Sequence, residues 1–402
     1  MTEDKPAGPL AGLRILDIST VVAGPFAAGL LGDYGAEIVK VEMPGIGDSL
    51  RALAPHKDGV PLWWKVTNRN KKGVTLDLRR EEGRALFARL VAHADVLVEN
   101  FRPGTLDGWG ITRAWLQEIN PRLTILRVTG FGQDGPYAER PGFARIFEAM
   151  SGFTQICGEE DGRPLHLGYP ISDAVAGLFG AVGILSALHD LARNPDRRGQ
   201  EIDCSATEAM LRTLEFLAIE YDQLGVVRTR SGNRSQYAAP GNVYRTADDK
   251  WASIAASTQS IFVRLCAALD LKHLLEDARF ATNPARVKNH RELDRIVGAT
   301  IGKLTLAELR EAFARHEVGF SPIYDIADVF DDPQIKARDA IVSVPDGELG
   351  PVRMQGVVPR FSETPGRVRA AGPAIGQHNE EVYGGLGLSA AEIAALRDRK
   401  VI

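Results

Sequence analysis

A single carboxylate, Asp173, heads a long run of small and apolar residues, Tyr169-Pro-Ile-Ser-Asp-Ala-Val-Ala-Gly177, followed by Leu-Phe-Gly-Ala-Val-Gly-Ile-Leu-Ser-Ala-Leu. No further charge follows until Asp190, counting His189 as neutral. Two chemistries suit an anion in that place. Asp173, or Ser172 beside it, can cap a helix by accepting hydrogen bonds from the unpaired N–H groups of the first turn. Alternatively, the helix N-terminus keeps the carboxylate ionised as a nucleophile, with backbone donors close by for a developing oxyanion. On these residues alone capping is the simpler reading.

Other groups that carry chemistry are basic and sit beside predicted strands. Asn68-Arg-Asn-Lys-Lys-Gly73 places Arg69, Lys71 and Lys72 just before one strand, and Glu99-Asn-Phe-Arg-Pro-Gly104 follows another with Arg102. Ligands of open α/β sheets bind near strand carboxyl ends. Singly such residues are solvated surface charge, but together they suit an anion with several phosphates. Gly24, Gly29 and Gly32 follow the first strand, and Glu42 ends the second, as in a dinucleotide site. Their spacing is not G-x-G-x-x-G, so the phosphate-cradling turn is missing and a nicotinamide oxidoreductase is the weaker reading. There is no P-loop, no H-E-x-x-H, no G-x-S-x-G and no Cys/His cluster, so no metal site is expected. His166, seven residues before Asp173, is the one histidine near that carboxylate, and a loop histidine is its plainer reading.

The elements that must position these groups read as α/β. Apolar strands at 13–19, 36–42, 73–78, 95–100 and 123–130 alternate with helices at 24–35 and near 81–93, which predicts a mostly parallel sheet. A helix near 143–151, a long helix over 173–193, a strand at 199–205 and a helix near 206–224 follow. After a basic, turn-rich stretch at 228–242 the pattern changes to short strands with a turn at Asp248-Asp249 and to amphipathic helices near 258–270 and 305–316. That predicts a second, smaller α+β domain over 229–325. The chain closes on a short helix that Ser389 caps. The run between Asp173 and His189 is shorter than the roughly 20 residues of a bilayer span and predicts a buried helix, not a membrane segment.

Composition narrows the classes. The 402 residues suffice for two or three domains, and a net charge of −4 gives no basic field for nucleic acid. Cys157, Cys204 and Cys266 lie far apart and suit a reducing cytoplasm. The first residues are acidic and Pro/Gly-rich, which predicts a loose tail, not a signal peptide.

In order and spacing the motifs resemble the family III CoA-transferases, the formyl-CoA and carnitine type. The segments that carry the match are GLRILDIS with VAGPFAAGLLGDYGAEIVKVE, NRNKKGVTLDL, DVLVENFRPG, GFGQDGPY, YPISDAVAG, RRGQEIDCS and IGQHNEEVYGGLGLSAAEIAALRDRKVI, from about residue 12 to 402. The resemblance implies that Asp173, the aspartate of D-x-x-x-G, is the catalytic nucleophile. It implies an interlocked homodimer whose Rossmann-like large domain is built from 1–228 and 326–402, with the small domain of 229–325 between. It implies acyl-CoA and a carboxylic acid as substrates, no tightly bound cofactor, and CoA contacts at Val21, Val22, Lys71, Lys72, Asn100, Phe101 and Arg102. Arg145 is expected to hold a distal carboxylate if the acid is a dicarboxylate such as succinate; exposure far from Asp173 would count against that. Three departures stand out. Val22 replaces a glutamine of the formyl-CoA transferases, which argues against a formyl-CoA/oxalate activity. Met43 replaces a basic residue. Phe143 stands where the α-methylacyl-CoA racemases, which share the fold, carry a histidine, so racemisation is the runner-up. The loop at 232–242 takes the position of the family's glycine-rich lid.

Overall fold

The computed structural model describes residues 8–402, and the expected loose start over 1–7 lies outside the described residues. Six strands form one parallel sheet: β1 (Arg14–Asp17), β2 (Glu37–Glu42), β3 (Lys71–Thr75), β4 (Val96–Glu99), β5 (Thr124–Thr129) and β6 (Glu201–Ser205). Their spatial order is β3-β2-β1-β4-β5-β6, so chain direction across the sheet reverses between β1 and β4. Crevices at such a reversal, outside the strand carboxyl ends, are where doubly wound sheets take ligands.

Strand sequences explain why both faces are covered. Alternate residues point to opposite sides. Ile15, Val96, Val98, Leu126 and Val128 join one core, whereas Leu16, Leu97 and Ile125 join the other. Against the first face lie α1 (Ala23–Asp33) and the long α4 (Ile171–Arg193); against the second lies α2 (Glu81–Ala92). α1 and α4 touch through small residues. A Cβ at Gly177 would meet the Ala23 carbonyl oxygen at 2.9 Å and the Ala27 nitrogen at 3.3 Å, so only glycine lets the two backbones approach so closely.

Two expectations along this part need correction. The predicted helix over 206–224 is broken at Leu214 and Glu215 into α5 (Ala206–Thr213) and α6 (Phe216–Leu224), with Glu215 at φ +35°. The run after Asp173 is not fully buried. α4 has 23 residues and is long and apolar enough to cross a membrane, but one side packs on α1 and the sheet while Leu178, Phe179, Val182 and Leu185 on the other are bare. Phe216, Ile219 and Leu224 are also exposed.

The chain divides into two compact units. The larger holds the sheet and takes in residues up to Phe153, His166–Leu224 and Gln334–Ile402. Its last part contains a hairpin, Ile341–Asp346 with Gly350–Gln355, and closes on Ala390–Asp398, where Ser389 and Glu392 form a reciprocal cap. This returning chain covers the open edge of β3: the Gly73 N–H donates to His378 Nδ1 and the Thr75 N–H to Asn379 Oδ1. The smaller unit comprises Thr154–Leu165 and Gly225–Pro333. It has a three-stranded antiparallel sheet, Gly241–Arg245, Trp251–Ala255 and Phe320–Pro322, with its own core around Phe262, Leu293 and Phe313. Residues 225–240 carry neither helix nor strand.

Candidate active site

Asp173 lies in the first turn of α4, and its side chain makes no capping bond to the helix backbone; Pro170 is the N-cap and caps nothing. The structure therefore does not support the simpler of the two readings. Ser172 is fully buried and donates its hydroxyl to the Ala144 carbonyl, 3.0 Å away, so it does not cap either. The spacing of Asp173 and Gly177 is one helical turn. It places the carboxylate one turn above the contact with α1, beside the entry to that helix.

The expectation that the helix start keeps Asp173 fully ionised is not met. Burial, and then the negative charge of Glu148, push its pKa up to about 7. Glu148 belongs to α3 (Ala144–Met150) and is wholly buried. Its Oε2 lies 3.1 Å from His166 Nδ1, and its Oε1 lies 3.5 Å from the Ser172 backbone nitrogen. His166 thus contacts the carboxylate beside Asp173. Sequence reasoning missed Glu148. Its signal was an acid on the buried stripe of α3, next to Phe147 and one turn after Ala144.

Opposite α4, the loop between β1 and α1 is held on several sides. Asn100 Oδ1 accepts the Thr20 N–H at 2.7 Å, and its amide donates to the Thr20 carbonyl at 2.7 Å. Val21 is half-buried at φ +64°, and its N–H donates to Asp48 Oδ1 at 3.0 Å. Val22 is buried and packs with Leu50 and Trp64. Trp63, from the same cluster, lies 6.4 Å from the ring of Tyr169, four residues before Asp173. Val21, Val22, Asn100 and Asp173 are thus tied into one region of the large unit.

Next to this loop, at the carboxyl ends of β1, β2 and β3, lies a crevice of about 110 Å³ lined by Ile18, Thr20, Met43, Asp48, Phe101 and Trp109 among others. Phe101 stands edge-on to Trp109, and its N–H donates to Glu99 Oε2 at 2.7 Å. Burial drives Glu99 up to about 7 against the opposing pull of Arg127. Arg79, which approaches the Met43 sulfur at 3.4 Å, is a cation that sequence reasoning did not single out. Arg102 follows, exposed and without a carboxylate partner among the described residues.

Two expected cation contacts do not fit this crevice. Lys71 is buried, and its ammonium is consumed by Asp17 Oδ2 at 2.8 Å, the Pro25 carbonyl at 2.7 Å and Asn68 Oδ1 at 3.0 Å. Burial, only partly offset by Asp17, lowers its pKa to about 8. Lys72 is the second residue of β3, near the amino end of that strand, and pairs with Glu37 at 2.7 Å and Glu381 at 2.9 Å. Their place at the start of a strand, not at its end, is the reason. Arg145 is exposed and without a carboxylate partner among the described residues. Exposure counts against its expected role; its place one turn before Glu148 counts for it. Phe143 is 77% exposed at the start of the same helix and has no proton to give.

Comparison with known proteins gives the family. The pattern described as CoA-transferase family III matches residues 10–379. The chain is 43% identical, over 100% of both chains, to a succinyl-CoA–D-citramalate CoA-transferase of Chloroflexus aurantiacus. It is 41% identical, over 98% of both, to the succinyl-CoA–L-malate CoA-transferase beta subunit of the same organism. The crystal structure of a CAIB/BAIF family protein from Brucella suis superposes with a TM-score of 0.84 at 34% identity, covering 94% of this chain and 100% of that one.

Proposed function

Since the chain belongs to CoA-transferase family III and is a CoA-transferase, we propose that it moves CoA from a dicarboxylic acyl-CoA, succinyl-CoA first among them, to a second carboxylic acid, with Asp173 as the nucleophile. The observation that carries this reading is an uncapped carboxylate at a helix start, set beside a buried like charge that raises its basicity. A carboxylate of higher pKa is a stronger nucleophile once ionised, and half of it is ionised near pH 7.

Asp173 Oδ adds to the thioester carbonyl, the C–S bond breaks, and CoA leaves as thiolate from a mixed anhydride. The thiolate adds to the aspartyl carbonyl and expels the donor acid, leaving an aspartyl-CoA thioester. The acceptor carboxylate adds to that carbonyl and releases the thiolate. The thiolate then takes the acyl group of the new anhydride and frees Asp173. No proton is gained or lost overall, so the ionised form of Asp173 must be available at each start. Every addition creates an oxyanion, which backbone N–H donors stabilise best where water is excluded. The uncapped first turn of α1 presents such donors beside α4.

CoA is substrate in this reading, with Val21, Val22, Asn100, Phe101 and Arg102 along its path and Arg145 toward the distal carboxylate. The bare apolar faces of α4 and α6 support a homodimer in which a second copy covers them. Three widely dispersed cysteines support a cytoplasmic location. The domain limits at 229 and 325 remain part of this proposal. Racemisation has no support from Phe143.

Intact-protein mass spectrometry after incubation with succinyl-CoA, with Asp173→Ala alongside, tests the reading. The expected result is a succinyl or CoA adduct on the wild type and none on the variant. Full CoA transfer by Asp173→Ala would refute it.

A further inference from the structure

We infer that Asp48, oriented by Lys40, is a positioning residue that keeps Val21 in a left-handed conformation at the entry to α1 beside Asp173. The inference rests on the transfer reaction proposed above.

Val21 is β-branched, and at φ +64° its side chain crowds its own backbone. Such a conformation persists only where the surroundings enforce it. Here one carboxylate takes the N–H of the strained residue itself. Asp48 is buried, and its Oδ1 accepts two N–H groups, from Val21 at 3.0 Å and from Leu50 at 2.8 Å. Its Oδ2 makes no aligned hydrogen bond and instead lies 3.2 Å from the Lys40 ammonium. The Asp48 backbone is anchored as well: its N–H donates to Glu42 Oε2 at 2.9 Å, and Glu42 is gripped by Arg51 at 2.7 and 2.8 Å.

Lys40 joins Asp48 to the end of β1. Fully buried, it also donates to the Ser19 carbonyl and faces Asp17 Oδ1 at 3.7 Å. Asp17 in turn accepts the Ser19 N–H at 3.0 Å and the Lys71 ammonium at 2.8 Å. Burial opposes charge on both Asp17 and Lys40, yet Asp17 is held below the usual carboxylate range and Lys40 above the usual lysine range, because each is the other's counter-ion. Residues 17, 19, 20 and 21 are therefore all fixed, and the turn at Val21 is the last step before α1 begins at Ala23. Ala23 is the residue whose carbonyl touches Gly177, one turn beyond Asp173. A relaxed Val21 would re-aim the first-turn N–H groups of α1, at Ala23 and Gly24, with respect to the nucleophile. A cluster serving stability alone has no need of a strained valine at its tip.

The test compares Asp48→Ala and Asp48→Asn, each with Val21 intact and with Val21→Gly, in steady-state transfer from succinyl-CoA. Glycine adopts positive φ at no steric cost, so it no longer needs the carboxylate. The strain released predicts a loss in kcat of about tenfold or more for Asp48→Ala. Asp48→Asn keeps an acceptor but loses the ion pair that aims it, and a loss of about threefold is expected. Val21→Gly should restore most of the rate in both. The asparagine pair carries the test if the alanine variant does not fold. A folded Asp48→Ala or Asp48→Asn protein at the wild-type rate overturns the inference, as does failure of Val21→Gly to improve either. Wild type against Asp173→Ala, run alongside, decides the transfer reading separately: no transfer by the wild type overturns both, whereas an active wild type with an unaffected Asp48 variant overturns the positioning role alone.

Discussion

Replacing Asp173 with asparagine should stabilise the protein at alkaline pH and do so much less in acid. The folded chain holds this carboxyl at about 7, against an ordinary value of 3.8, through burial and the Glu148 charge. Between those two values the unfolded chain has released a proton that the folded chain keeps. The contribution of Asp173 to stability is therefore intact below pH 4, falls as pH rises, and levels off above about 7. At about 1.4 kcal/mol per pKa unit, the full penalty at pH 8 approaches ~4 kcal/mol, of which ~1.5 kcal/mol is already present at pH 5. Asp173 retains some solvent contact, so a widening of ~1–2.5 kcal/mol between pH 5 and pH 8 is the reasonable size. Comparing two pH values removes the pH-independent effect of exchanging an acid for an amide. For 402 residues the unfolding entropy is on the order of 0.8 kcal/mol/K, so the melting advantage of Asp173→Asn over wild type should grow by about 1–3 °C from pH 5 to pH 8. Differential scanning calorimetry at both pH values measures it. An equal advantage at both, or one larger at pH 5, would refute the raised pKa and with it the account of how Glu148 acts.

The same coupling sets the pH–rate profile: kcat/KM for succinyl-CoA should rise through about pH 7 as Asp173 ionises, and Glu148→Gln should move that limb down by roughly 0.5–1 unit, read from initial rates between pH 5 and pH 9. A profile unmoved by Glu148→Gln would mean that burial alone sets the value. Gly177→Ala puts a methyl 2.9 Å from the Ala23 carbonyl oxygen and should destabilise the protein by about 1–3 kcal/mol, seen as a lower melting temperature, with slower formation of the Asp173 adduct.

Much of the sheet was legible because strand alternation is a local signal. Ile15 and Leu16, or Val96, Leu97 and Val98, reveal two buried faces without knowledge of any partner. Charge was harder to read, because the same residue type is solvated or buried according to what lies across from it. Lys71 and Lys72 are neighbours with identical side chains. One is sealed beneath the β1–α1 loop on Asp17, and the other is half-exposed between Glu37 and Glu381. A β-strand sends adjacent residues to opposite faces, so a pair of lysines at a strand start cannot both meet one ligand. That rule was available from sequence and would have divided them; only the sheet order shows which face holds Asp17.

The site itself shows where local reading stops. Asp173 and Gly177 are one turn apart, and the small residues of α1, Ala23, Gly24, Ala27 and Ala28, stand about 150 positions earlier. Each half is visible alone, as a carboxylate before an apolar helix and as a helix rich in glycine and alanine. Their pairing is what gives the motif its meaning: a glycine is needed where α1 crosses, and the aspartate one turn above is thereby set beside the α1 N-terminus. Glu148 is about 25 residues before Asp173, on a helix whose other buried positions include Ala144 and Phe147. A fully buried acid with no lysine or arginine bound to it among the described residues is costly unless a nearby charge responds to it. Here His166 Nδ1 lies 3.1 Å from Glu148, and Asp173 is the group whose pKa the Glu148 charge raises, which makes Glu148 the first residue to alter in asking how the nucleophile is tuned.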